Sequence, residues 1–276
     1  MDTARIAAGI AGRLQLTFER RGDRTVLARS YAEPPFRVGP VIPVDDAAYV
    51  FIVCTGPGVF AGDDLRQSIH VGPGARVMLT SQSALQVHPS GDRSPATLRH
   101  EYRVDRGGEL QADWDPTIPF AGARCDQRIL IDVAAGGRLF WSDALMSGRA
   151  GRGEAWRFAS LAHELRVRIG GSLGYLERYR LTADRMPART WLAGRAHYVG
   201  TVLAVDPAAG APSAAELQAA LASAAGTTAG VDVPKDGLLV ARLLSTSGPS
   251  FAGARDLART FVVQSLFGRA AAVKRK

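Results

Sequence analysis

Apolar and polar residues alternate at the start of the chain. Leu14, Leu16 and Phe18 are separated by polar residues, Arg21-Gly22-Asp23 offers a turn, and residues 25–27 continue in strand-like sequence. A period of two on either side of a turn predicts a β-hairpin with one buried face. Farther along, the run AYVFIVC at residues 48–54 is apolar throughout, which predicts a strand buried on both faces.

A spaced repeat is the strongest sequence indication of the fold. The pattern Val-x-x-Gly-Gly-x-Leu starts at residues 104, 133 and 167, and a looser copy starts at residue 71, so the starts lie 33, 29 and 34 residues apart. Glycine pairs between strand-like flanks are typical of hairpin turns. Recurrence at about 30 residues predicts stacked β-hairpin layers, a mostly β fold of the β-solenoid or β-helix kind.

Helical patterns are confined to the last third of the chain. Ser213 and Glu216 form a capping-box pattern before an Ala-rich segment closed by Gly226, and residues 251–267 carry an apolar face that stops at Gly268. Residues 237–245 read as a late strand. We therefore expect two short helices and, since no biased linker divides the chain, a single domain over residues 1–276 with a frayed basic tail at 269–276.

The bulk composition argues against several functional classes. The 276 residues carry a formal charge of +8, but the arginines are scattered and show no nucleic-acid-binding signature. No apolar run is long enough for a membrane span. Cys54 and Cys125 are expected to be reduced, buried thiols of a cytoplasmic protein, because no convincing export signal precedes them.

Acidic residues are concentrated among the aromatic residues of positions 109–158. Asp113, Asp115 and Glu154 stand there beside arginines, so turn capping and surface ion pairs are the simplest interpretation for each. The glycine-rich residues 55–64 lack the Gly-Lys-Ser/Thr end of a phosphate loop. The five histidines are far apart without metal-site spacing, although loose oxygen coordination would leave no such spacing. The residues alone favour a non-enzymatic protein.

Four motifs together resemble those of the urease accessory protein D family, called H in some species. They are GPGVFAGDD at 56–64, DWDPTIPFAGAR at 113–124, GRAGRGEAW at 148–156 and GLLVARLL at 237–244. In order and spacing they span most of the chain, and the second and third are the more specific. The resemblance implies a largely β, helix-poor, solenoid-like protein, in agreement with the repeat.

The resemblance also implies a function. Members act as non-enzymatic scaffolds that bind the urease apoprotein and recruit the accessory proteins F and G, the latter a GTPase that carries nickel. They are thought to contain an internal water-filled passage for the ion. On this basis Asp63, Asp115 and Glu154 are the candidates for a transient nickel path, with nickel in transit and no tightly bound cofactor. A homodimer within the accessory complex is left open.

Two alternatives belong to other classes. A β-solenoid hydrolase could use Asp113, Asp115 and Glu154 as acid–base carboxylates, which would require two of them to face one another across a cleft. An arginine-mediated nucleic-acid binder would show a strong salt dependence of binding.

Overall fold

The structure, a computed structural model, describes residues 9–184, 194–206 and 212–268. The strands and α-helices in this part of the chain are, in order, β1 (Ala11–Arg21), β2 (Arg24–Ala32), β3 (Phe36–Val38), β4 (Ile42–Val44), β5 (Ala47–Cys54), β6 (Asp64–Val71), β7 (Arg76–Ser81), β8 (Leu85–Val87), β9 (Ala96–Val104), β10 (Glu109–Asp113), β11 (Thr117–Pro119), β12 (Arg124–Val133), β13 (Arg138–Met146), β14 (Ser160–Ile169), β15 (Ser172–Thr182), β16 (Tyr198–Val205), α1 (Ala214–Ala222), β17 (Thr227–Lys235), β18 (Leu238–Ser245) and α2 (Gly248–Phe267).

The strands form two sheets. A seven-stranded sheet has the order β15-β14-β12-β9-β6-β1-β2, and an eleven-stranded sheet has the order β17-β18-β16-β13-β10-β7-β5-β3 with β4, β8 and β11 attached. From β5 to β14 the chain passes back and forth between the sheets, and within each sheet the successive long strands pair in parallel. This coiling is the predicted β-solenoid-like stack, so the fold class is confirmed.

Three copies of the glycine repeat form corners between the two sheets. Val71, Val104 and Val133 each end a strand of the seven-stranded sheet, and the next long strand belongs to the other sheet. The expected hairpin turn is found only at the fourth copy, where β14 and β15 pair antiparallel. The spacing predicted the stacking correctly, but the pattern alone does not distinguish a corner from a hairpin, since both need small residues at a sharp turn.

The corners stack on one another through their backbones. Asp105 N donates to Val71 O and Ala134 N donates to Val104 O, at 2.9 and 2.8 Å. A Cβ atom at Gly108 would lie 2.9 Å from Asp105 O and 3.1 Å from Gly72 O. A side chain at this position would therefore separate neighbouring corners, which explains the glycine.

The predicted N-terminal hairpin and buried strand are both present. β1 pairs antiparallel with β2, and Leu14, Leu16 and Phe18 are buried. The apolar run near residue 50 is β5, most of which is buried. Cys125 is a buried free thiol and Cys54 is a half-buried one.

The helices form a third layer on the outer face of the eleven-stranded sheet. Phe251, Val262 and Leu266 of α2 pack in one cluster with Leu239 and Leu243 of β18. Half of the predicted capping box is present, since Ser213 Oγ accepts from Glu216 N, but α1 ends at Ala222 with Ser223 as its C-cap and not at Gly226. α2 ends at Gly268 in a left-handed conformation as expected. The tail predicted to fray at 269–276 lies outside the described residues.

Candidate functional site

A cavity of about 370 Å³ lies between the two sheets, among residues of both inner faces. On the sheet order its walls run from β3 to β16 on one side and from β6 to β15 on the other. The two paths cross five and four strand spacings, so the cavity follows the solenoid axis for about 19–24 Å. The polar members of its lining include Gln67, Ser81, His100, Asp115, Gln127, Asp143, His163, Glu177, Tyr179 and Thr201.

Strand register brings several of these side chains together on the seven-stranded sheet. Gln127, His163 and Tyr179 occupy matching positions on β12, β14 and β15. His163 Nδ1 lies 2.9 Å from Gln127 Oε1, and the imidazole stacks on Tyr179 with ring centroids 4.9 Å apart. The alternation that buries Leu161 and Leu165 turns His163 inward as well. The period of the strand therefore presents polar side chains to an otherwise apolar interior.

The eleven-stranded sheet and its connections supply two of the carboxylates, Asp115 and Asp143. Asp143 follows Leu139 and Trp141 on the inward side of β13 and is in register with Thr201 of β16. Asp115 accepts from Ser81 Oγ at 3.1 Å, and its own backbone N donates to Ser81 Oγ at 2.9 Å. With Glu177 from the opposite sheet, the described part of the lining carries three carboxylates.

Burial shifts the pKa of Asp143 and that of His100 in opposite directions. Desolvation raises the pKa of the Asp143 carboxyl, with His163 opposing that effect. Desolvation lowers the pKa of His100 to about 4, and neighbouring His163 adds to the shift, so His100 is neutral near pH 7. A neutral imidazole can act as a hydrogen-bond acceptor or a metal ligand, which a protonated one cannot.

Tryptophan side chains form part of the cavity wall. Trp114 and Trp141 both line it, with ring centroids 6.1 Å apart. The indole N–H of Trp114 is buried and has no acceptor among the described residues. A buried donor needs a partner, and the cavity is far larger than a water molecule of about 30 Å³. Water inside the cavity is therefore the expected acceptor.

The three carboxylates predicted to form a nickel path lie in different surroundings. Asp115 lines the cavity. Asp63 does not line it and accepts from Ile10 N and Phe60 N, at 2.8 Å each. Glu154 also lies outside it, and its ion pair with Arg149 holds the pKa of its carboxyl below the usual range. The structure gives Asp63 and Glu154 structural partners, and contact with an ion stays a prediction for all three.

The carboxylates of the hydrolase alternative are not brought together. Asp113 points away from the solenoid interior toward α2, where Arg255 Nη2 donates to its Oδ1 at 2.7 Å. Asp115 faces the cavity, while Glu154 pairs with Arg149 beyond it. No two of these three carboxyls share a cleft in the part of the chain that the structure describes, so they do not form the pair that acid–base hydrolysis needs.

Several lining residues escaped sequence reasoning. Glu177, His100 and His163 lie outside the stretch of 109–158 that the motifs emphasised, and Asp143 lies within it without being selected. The usable signal was a polar residue at an inward position of an alternating strand, such as Asp143 after Leu139 and Trp141. Among the described residues no group of three or more His, Cys, Asp and Glu side chains forms a ready metal site.

The fold and the cavity define a two-sheet β-solenoid protein with a polar, carboxylate-bearing interior. The profile of the family described as UreD urease accessory protein matches residues 11–276. The chain belongs to this family. No helix among the described residues is both long and apolar enough to cross a membrane.

Curated relatives named urease accessory protein UreD support the assignment. The protein from Sorangium cellulosum is 38% identical over 76% of this chain, and the match covers 65% of its own length. The protein from Deinococcus radiodurans is 32% identical over 96% of this chain and 94% of its own. UreD 2 of Streptomyces griseus is 31% identical over 96% of this chain and 93% of its own.

Proposed function

We propose that this chain is a non-catalytic maturation factor for urease in the cytoplasm. It binds the urease apoprotein and recruits the F- and G-type accessory proteins, so that nickel reaches the urease active site. Family membership supports the maturation role. The naming of the relatives as accessory proteins supports a role without catalysis by this chain.

The polar cavity is the observation that carries the finer proposal, in which nickel travels through the interior. Asp115, Asp143 and Glu177 place oxygen donors along it, and His100 and His163 add imidazoles. Carboxylate oxygens spread along a path bind a divalent ion more weakly than a closed thiolate or imidazole cage. Such a path lets the ion move on, which suits delivery. Nickel is thus a cargo of this protein and has no permanent site in it.

The passage is tested by neutralising its carboxylates. Asp115→Asn and Asp143→Asn, singly and together, are combined with urease apoprotein, the F- and G-type proteins, Ni²⁺ and GTP. We expect the rate of urease activation to fall several-fold, because each change removes an anionic oxygen from the path. Co-purification with the urease apoprotein should be unchanged, since both residues face inward.

Asp126→Asn is the matched control, because this aspartate faces outward on β12 with its side chain 40% exposed. Asp63→Asn and Glu154→Gln form separate arms that test the remaining candidates. Wild-type activation by Asp115→Asn, Asp143→Asn and their double variant would remove the passage and leave only a docking role. Loss of co-purification in the same variants would assign these residues to assembly instead.

A further inference from the structure

The two ends of the cavity differ. At one end its lining includes the exposed loop residues Gly56, Pro57, Gln82 and Ser83. At the other end, four strands away, the lining among the described residues reaches Thr201 and the opposite side chain of Glu177. The first end is therefore a mouth open to solvent, and the second end is bounded by side chains that approach from both sheets.

An arginine lies behind this second end. Arg242 Nη1 pairs with Glu177 Oε2 and also donates to Thr201 Oγ1 at 2.5 Å. Arg242 does not line the cavity, although both of its partners do. Its side chain is 39% exposed, whereas that of Glu177 is 10% exposed. The guanidinium therefore lies between the cavity wall and the solvent.

Strand register explains why an arginine occupies this position. Asp143, Thr201 and Arg242 are in register on β13, β16 and β18. Arg242 follows Leu238 and Val240 on the side of β18 that faces the solenoid interior, while Leu239, Ala241 and Leu243 face the helices. An arginine on the interior side of a strand needs an acidic partner. The sequence motif at 237–244 thus places a cation beside the second end of a cavity that carries carboxylates.

We propose that Arg242 is the gate of this cavity. Its guanidinium forms an ion pair with the carboxylate of Glu177, and a divalent cation leaving the cavity would use that carboxylate as its last oxygen ligand. When the cation displaces the guanidinium, the arginine side chain moves into solvent. A divalent ion competes with the guanidinium because it carries twice the charge. This inference rests on the proposed passage and assigns its regulation to one ion pair.

The gate makes a specific prediction for metal binding by the full-length chain alone. In Arg242→Gln the carboxylate of Glu177 is left without its cationic partner, so Ni²⁺ should bind at least about tenfold more tightly than in the wild type. The binding is measured by isothermal titration calorimetry. Quenching of tryptophan fluorescence by Ni²⁺ supplies a second readout, because Trp114 and Trp141 line the cavity.

Two further variants separate the gate from a structural ion pair. Arg242→Gln combined with Glu177→Gln should lose the gain in affinity, since the freed carboxylate is then absent. Arg242→Lys keeps the charge but holds Glu177 through an ammonium without the planar fork, so an increase of about threefold is expected. This variant also serves if Arg242→Gln does not fold. Arg128→Gln, at an exposed position on the outer face, is the control that should bind Ni²⁺ like the wild type.

The gate is overturned if folded Arg242→Gln or Arg242→Lys binds Ni²⁺ no more tightly than the wild type. It is also overturned if the tighter binding persists without the Glu177 carboxylate. These results are independent of urease activation by the Asp115 and Asp143 variants. Impaired activation in those variants together with unchanged affinity in the Arg242 variants would keep the passage and reject the gate.

Discussion

His100 shows how a single residue determines the chemistry of the interior. It stands on β9 between Leu98 and Tyr102, at a position where the alternation would otherwise bury an apolar side chain. The imidazole faces the cavity, and burial lowers its pKa to about 4 from an ordinary value of 6.5. The unfolded chain therefore binds a proton in a pH range where the folded protein does not.

This difference predicts a pH-dependent stability. Because the folded pKa is lowered, the contribution of His100 is fully present above about pH 6.5 and is lost as the pH falls toward 4. Between pH 7 and 4.5 the wild type should lose on the order of 2 kcal/mol of unfolding free energy that His100→Gln does not lose. Urea unfolding of both proteins at the two pH values measures the difference. Equal losses in the two proteins would show that His100 does not titrate in this way.

At the scale of the element, the corners determine how the strands stack. Each corner carries the chain from the seven-stranded to the eleven-stranded sheet within a few residues, and its backbone bonds to the corner before it. The stacking distance is fixed by the strand spacing, so a corner has no room for an added side chain where the carbonyls approach one another. Position 108 therefore requires glycine because of the neighbouring coil as well as because of its own turn.

We expect Gly108→Ala to destabilise the protein by about 1–3 kcal/mol, because the new Cβ atom would press on Asp105 O and Gly72 O. Gly151→Ala is the matched control, since a Cβ atom there would meet no heavy atom within 4 Å. The control should be neutral, or slightly stabilising through its less flexible unfolded chain. Denaturant unfolding measures both variants. Equal stability of the two would mean that the corner relaxes without cost.

At the scale of the whole molecule, an arginine of α2 joins the helical layer to the solenoid. Arg255 of α2 donates to Asp113 Oδ1 at 2.7 Å, to Trp114 O at 2.8 Å and to Ser142 Oγ at 2.8 Å. Its side chain is only 11% exposed. The segment held in this way continues directly into Asp115 at the cavity wall, so the helix also supports the site.

Arg255→Gln should cost about 2–4 kcal/mol of unfolding free energy, because it removes the charged hydrogen bonds that Arg255 donates to Asp113 Oδ1, Trp114 O and Ser142 Oγ. Thermal or urea unfolding measures the loss. The exposed Arg128→Gln is again the control and should change stability by less than about 0.5 kcal/mol. A loss confined to that level in Arg255→Gln would show that the contacts of Arg255 contribute little to the attachment of α2.

The fold also brings arginines that are distant in the sequence into one row on the outer face. Arg13, Arg66, Arg99 and Arg128 are scattered in the sequence, yet they occupy one register row on β1, β6, β9 and β12 of the outer face. Asp64 pairs with both Arg66 and Arg99. Arg66, Arg99 and Arg128 are 33 and 29 residues apart, the same spacings as in the glycine repeat, so each coil contributes one arginine to the row.

The sequence by itself determined the periodicities of this protein. Strict alternation in β1, the apolar run of β5, the N-cap Ser213 of α1, the C-cap Gly268 of α2 and the repeat of about 30 residues are patterns along the chain, so local reasoning could find them. The motifs were also local, and through them the sequence pointed to the urease accessory class and to Asp115.

Only the tertiary structure decided which side chains meet. Asp143 and Glu177 are 34 positions apart on opposite sheets and line the same cavity, and Arg242 reaches Glu177 across 65 positions. Such contacts depend on the register of parallel strands and on corners that the repeat predicted only as turns. Asp63 and Glu154 looked equivalent to Asp115 in sequence, but backbone amides and Arg149 engage them away from the cavity. The sequence gives the chemical type of each side chain, whereas the stacking of the coils determines which side chains become its partners.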